Sequence, residues 1–149
     1  MKNKVLILAT TLMCLFTTSS IAANQPKSFS RLSPEQIGNM LERLNRKHET
    51  KKLRSGEPIY ILTANGVKSI LTGLLCEKGI CQTLRLSAVF SVTLPEAMET
   101  LNRWNADHRF SRAYVDDDHD VMLVSDIDLD GGITDQDAEL FIEVFLDQL

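Results

Sequence analysis

Most of the devices that mark an enzyme are missing from this chain. The three histidines, His48, His108 and His119, sit in polar surroundings at element ends or tips, and none stands at a His-x-x-x-His spacing that would suit zinc. No serine or cysteine lies in a nucleophile-elbow context, and no glycine-rich phosphate loop occurs. Cys-x-x-Cys is absent as well. Paired carboxylates for hydrolysis must face each other across a cleft, and nothing in the residue pattern points to such a pair. The sequence therefore reads as non-enzymatic. Internal repeats and low-complexity tracts are lacking, and no long apolar stretch follows the first one.

That first stretch is a targeting signal. Lys2 and Lys4 precede an apolar run from Val5 to Phe16, followed by Thr17 to Ser20 and the small-residue pattern Ser20-Ile21-Ala22. The order is that of a signal peptide, residues 1–22, with cleavage after Ala22 or Ala23. A spanning helix needs ~20 apolar residues, so the run is too short to be an anchor. The expectation is an exported protein, periplasmic or secreted, with no membrane span after cleavage. Residues 23–32 read as a flexible lead-in and 33–149 as one domain, since the exported part is long enough for a single core.

Charge is divided unevenly. Residues 23–106 hold twelve Lys/Arg and seven Asp/Glu, whereas 107–149 hold two Arg and thirteen Asp/Glu. The exported part is thus net acidic, which argues against nucleic acid as a partner. The basic cluster Arg43, Arg46, Lys47, Lys51, Lys52 and Arg54 reads as a solvated helix end and loop, or as a contact with the acidic half of this or another copy. Two cysteines remain after cleavage, Cys76 and Cys81. An even count in an oxidising compartment favours a disulfide.

Ser33 with Pro34 and Gln36 opens a helix over 33–48, whose apolar face is Ile37, Met40, Leu41 and Leu44. Residues 51–57 are polar. Strands follow at 58–62, 67–75 and 81–92, joined by turns at Asn65-Gly66 and Glu77-Lys78-Gly79. Cys76 and Cys81 flank the second turn, within bonding reach across a hairpin. Thr93 with Glu96 caps a second helix, with Leu94, Ala97, Met98, Leu101 and Trp104 on its buried face. Strands at 109–115 and 121–129 flank the acidic tip Asp116 to Asp120. Thr134 with Asp137 caps a last helix, with Leu140, Phe141, Val144, Phe145 and Leu149 inward. The fold class is α+β: about five antiparallel strands with helices packed against them, in the order α-β-β-β-α-β-β-α.

One motif imitates a metal site. Asp126, Asp128 and Asp130 precede Gly131 at calcium-loop spacing, with Asp137 at the closing position. A calcium loop closes with a longer, bidentate Glu and is entered from a helix. Here Asp137 closes it and a period-two strand enters it. Architecture is the leading reading of these four aspartates, and weak calcium binding the alternative. The acidic tip reads as a solvated hairpin.

Trp104-Asn105, Arg109-Phe110-Ser111-Arg112-Ala113-Tyr114, the acidic tip and Asp126 to Thr134 together resemble the signature of the YbjN-like family. Cys81-Gln82-Thr83-Leu84 fits it as well. The resemblance covers about 33–149. The chain departs from the pattern in its signal peptide and in His119, where a glycine is common. The resemblance implies a fold similar to type III secretion chaperones, often dimeric, and a sensory or stress-response role with no enzymatic residues. The expected function is an exported, non-enzymatic, chaperone-like module that holds a protein partner or forms a homodimer, in envelope stress or regulation. A calcium-binding periplasmic protein is the alternative, and no other cofactor is expected.

Overall fold

The computed structural model describes residues 28–91 and 97–149. The elements are β1 (Ser28–Phe29), α1 (Pro34–Arg43), β2 (Glu49–Lys52), β3 (Pro58–Ala64), β4 (Val67–Glu77), β5 (Ile80–Phe90), α2 (Ala97–Asp107), β6 (Arg112–Val115), β7 (Val121–Asp128), β8 (Ile133–Thr134) and α3 (Asp135–Leu146). The main sheet has six antiparallel strands in the order β2-β3-β4-β5-β7-β6, and β1 pairs with β8 beside it. The α+β class and the order of helices and strands agree with the sequence reading; the sheet has one strand more.

The added strand is β2. Glu-Thr-Lys-Lys is exposed throughout and has no apolar alternation to reveal it. As an edge strand its lysines suit the position, because they discourage further pairing. Helix α1 is also shorter than the expected 33–48. It opens on the Ser33–Gln36 capping box and ends in a Schellman turn, with Asn45 at φ 52°. Arg46 N donates to Leu41 O and Asn45 N to Glu42 O, the two bonds of that motif. Residues 28–32, expected to be loose, belong to the fold. Leu32 is buried and exchanges both backbone bonds with Cys81.

Register places the core on one face of the sheet. Leu62, Ser69, Ala88, Leu123 and Ala113 form one cross-strand row. Tyr60, Leu71, Leu86 and Ser125 form the next, and Gly73, Leu84 and Ile127 a third. Ile37, Met40 and Leu41 of α1, Leu101 of α2, and Ala138, Ile142 and Phe145 of α3 complete the cluster. Among the described residues the helices meet that face through these side chains. The opposite face carries the row Glu49, Ile61, Ile70, Ser87, Val124 and Arg112.

Two glycines allow close approach. A Cβ on Gly38 would stand 2.6 Å from the Tyr60 hydroxyl, which donates to Pro34 O. A Cβ on Gly73 would stand 2.5 Å from Cys81 Sγ.

The buried faces of two helices differ from expectation. Met98, placed inward by periodicity, is 70% exposed, whereas Leu101 is buried as expected. The Thr93–Glu96 cap and Leu94 lie outside the described residues. On α3, Leu140 is 59% exposed, and the core stripe is Ala138, Ile142 and Phe145. No helix among the described residues is long and apolar enough to cross a membrane.

Candidate functional site

The acidic loop is held by partners from within the chain. Asp126 lies opposite Arg85 in the β5–β7 register. Arg85 Nε and Nη2 donate to its two oxygens at 2.6 and 2.9 Å, and Arg112 Nη2 adds an ion pair at 3.3 Å. These arginine hydrogen bonds, chiefly those from Arg85, hold the Asp126 carboxyl below the usual range. Asp128 accepts the backbone N–H of Asp130, and Asp130 pairs with Arg31 at 3.8 Å. Asp137 accepts from both the backbone N–H and the hydroxyl of Thr134, closing the capping box; the backbone bond is the main cause of its lowered pKa. Among the described residues, no three His, Cys, Asp or Glu side chains are gathered so as to hold a metal ion.

The Asp126 clamp sets an acid limit on stability. A carboxyl whose folded pKa is lowered contributes fully above its unfolded value, about 4, and the contribution is lost as pH falls through the folded value. Asp126→Asn is expected to cost about 1 kcal/mol at neutral pH, as a partly shielded ion pair does. The gap between wild type and variant should close as the pH is taken down from about 4. Urea midpoints measured across that range check this; a gap that stays constant would contradict it.

The acidic tip folds on itself. Asp116 Oδ1 accepts the backbone N–H groups of Asp118 and Asp120, and His119 occupies the left-handed region at φ 68°. The basic cluster divides. Arg43 forms a two-point bond with Asp135, and Arg46 pairs with Glu139 and Glu143, so α1 is tied to the acidic helix α3. The cysteines face each other at Cys76↔Cys81, and the structure joins them in a disulfide at the hairpin end.

The feature that periodicity did not reveal lies beside β7. This strand pairs with β5 along its whole length but with β6 only over Val121–Val124. The chain before β6 turns away, because the Ser125 hydroxyl takes Phe110 O as its acceptor. What remains is a groove of about 520 Å³ between the end of β7, residues 109–110 and α3. Its apolar walls are Phe110, Ile127, Leu140, Phe141 and Val144, with Arg109, Asp126 and Asp137 at the rim. Phe110 is 66% exposed. A surface helix needs one apolar stripe. α3 has two: one enters the core, and Leu140, Phe141 and Val144 form the other.

The sheet edge is treated differently on either side of Arg112. At β6 the side chain of Asn105 acts as a substitute strand, accepting from Ala113 N at 2.8 Å and donating to Ala113 O at 3.0 Å. At β7 no such cover exists among the described residues. Leu129 N donates to Gln82 O on the β5 side. Backbone directions alternate along an antiparallel strand, so Asp126 and Asp128 turn their N–H and C=O groups to the side that β6 has left. The Trp104-Asn105 pair is the sequence signal that carries this edge treatment.

A six-stranded antiparallel sheet with helices packed on it, and an apolar groove by a strand edge left uncovered among the described residues, define a small α+β binding-type fold. A solved structure with this fold is the Yersinia pestis type III secretion chaperone SycH in complex with a stable fragment of YscM2: TM-score 0.50, 12% identity, covering 77% of this chain and 94% of that one. The chain belongs to the YbjN family, described as "Putative bacterial sensory transduction regulator", which matches residues 33–149. No curated protein matches it.

Proposed function

We propose that this chain is an exported, non-enzymatic, chaperone-like module that holds a protein partner in the cell envelope, in a regulatory or stress-response role. The observation that carries the reading is the groove beside β7, where apolar side chains meet a strand edge left uncovered among the described residues. Large exposed apolar surfaces with a polar rim mark places where another molecule binds. The family description, a regulator of sensory transduction, supports a role exerted through binding. The SycH structure, a chaperone with a partner fragment, supports a protein as the bound species. The sequence supports export, through the charged start, apolar run and small-residue site of residues 1–22.

The test places a photo-crosslinking residue, p-benzoylphenylalanine, at Phe110 in the full chain expressed in its bacterial host. The same residue at Lys52, on the exposed remote strand β2, is the control. A defined crosslinked protein in the periplasmic fraction, formed at Phe110 and absent at Lys52, is expected. Equal crosslinking at both positions, or an uncleaved chain confined to the cytoplasm, would overturn the proposal.

A further inference from the structure

We infer that the groove takes an extended segment of the partner, added as a strand to the free edge of β7, with apolar residues alternating with basic ones. This rests on the protein-binding reading above and specifies what is bound.

Three observations converge. The backbone groups of Asp126 and Asp128 face outward with no strand partner among the described residues, whereas the neighbouring edge at Ala113 is covered by Asn105. Such a row is a template for strand addition, in which main-chain bonds supply affinity and pockets for alternate side chains supply selection. The pocket is present beside it. A strand laid on this edge sends every second side chain toward the core face of the sheet, where Phe110, Leu140, Phe141 and Val144 stand unfilled.

Charge decides what the intervening residues should be. From Ala113 to Leu149 the chain holds twelve Asp/Glu and no Lys or Arg. Asp126, Asp130, Asp135, Glu139 and Glu143 are offset by arginines from elsewhere in the fold. Asp137 at the groove rim, and Asp128 on the outer face of β7 to which the intervening side chains of an added strand would turn, make no ion pair among the described residues. Their carboxylates accept only backbone or hydroxyl hydrogens, so their charge is not neutralised. Against them stands Arg109 on the opposite wall. The balance favours a basic segment, drawn in by the acidic half as a whole.

The experiment measures fluorescence anisotropy of labelled peptides of about eight residues, an ordinary strand length, against the mature disulfide-bonded protein. One alternates lysine with valine, one glutamate with valine, and one is the lysine peptide N-methylated at alternate backbone nitrogens. The lysine peptide is expected to bind, the glutamate peptide at least ~10-fold more weakly, and the methylated peptide not measurably, since it has lost the donors a strand needs. Leu140→Lys fills the groove with a charge on an already exposed position; it should fold normally by circular dichroism and weaken the lysine peptide ~10-fold or more. No binding of the lysine peptide, equal binding of the methylated one, or an unchanged affinity in Leu140→Lys would each overturn the inference. Sedimentation of the free protein adds the other occupant: a dimer that Leu140→Lys converts to monomer means that a second copy fills the groove, which also overturns it. If crosslinking at Phe110 persists while methylation makes no difference, the groove holds a partner but not as a strand, so the two readings fail separately.

Discussion

Gly73→Ala should cost about 3 kcal/mol, the upper part of the range for overpacking a filled core. The added methyl would stand 2.5 Å from Cys81 Sγ, 2.8 Å from Cys81 Cβ and 3.2 Å from Ile37 Cδ1. None of these atoms can withdraw cheaply. Cys81 is fully buried, tied by its disulfide to Cys76, and bonded through its backbone to Leu32 on one side and β4 on the other. Ile37 is fixed in the first turns of α1 under the same core. Gly38→Ala is a useful comparison. There the methyl would meet the Tyr60 ring and hydroxyl at 2.6 to 2.9 Å, but alanine is the better helix former by about 1 kcal/mol. The net loss at Gly38 is therefore expected to be about 1 kcal/mol lower than at Gly73. Thermal melts should show Gly73→Ala lowered by on the order of 10 °C and Gly38→Ala by about two-thirds as much. A Gly38→Ala protein that melts above wild type would mean that Tyr60 can move aside and that α1 is less tightly docked than its contacts indicate.

Much of the fold was legible because it rests on short-range rules. Ser33 with Gln36 and Thr134 with Asp137 announced two helix starts, and both capping boxes are present. Alternation from Leu84 to Ala88 and from Val121 to Leu129 identified the core face of β5 and β7, since period two leaves little choice of side. What stayed hidden depends on partners distant in sequence. Glu49–Lys52 carries no apolar pattern, and its pairing with β3 exists only because β3 has an edge to offer. Asn45 ends α1 by adopting a left-handed conformation that glycine usually marks, so a helix read by periodicity ran on to residue 48. The groove was missed for a related reason. α3 is apolar on more than one side, and a periodicity count placed Leu140 inward with Phe141 and Val144. The stripe that faces the core is Ala138, Ile142 and Phe145, and the ties of Arg43 and Arg46 to Asp135, Glu139 and Glu143 are consistent with that rotation of α3 against α1. The same ties answer the question posed by the basic cluster: two of its arginines neutralise the chain's own acidic helix.

Cys81→Ser should lower stability by about 3 to 5 kcal/mol, and more than Cys76→Ser, although both remove one and the same bond. Closing so short a loop is worth about 2 kcal/mol in the chain-entropy account, and each variant loses that. The difference lies in what is left behind. Cys81 has no exposure and sits against Gly73 and Ile37, where a free thiol behaves as a small apolar group. A serine hydroxyl in that place would stand against Gly73 and the Ile37 side chain, and a buried unsatisfied polar group costs a further ~1 to 3 kcal/mol. Cys76 is exposed, so its replacement leaves only the loop effect. Denaturant melts with and without a thiol reductant separate the contributions. Reductant should bring wild type down to the level of Cys76→Ser and leave both variants unmoved. Equal midpoints for the two variants would remove the packing argument at Cys81. A wild type indifferent to reductant would show that the bond does not form in the folded protein. The same pair then reports on compartment. A chain led across the membrane by residues 1–22 meets an oxidising environment, so thiols trapped in acid from whole cells should be absent from the mature form and present only in the uncleaved precursor.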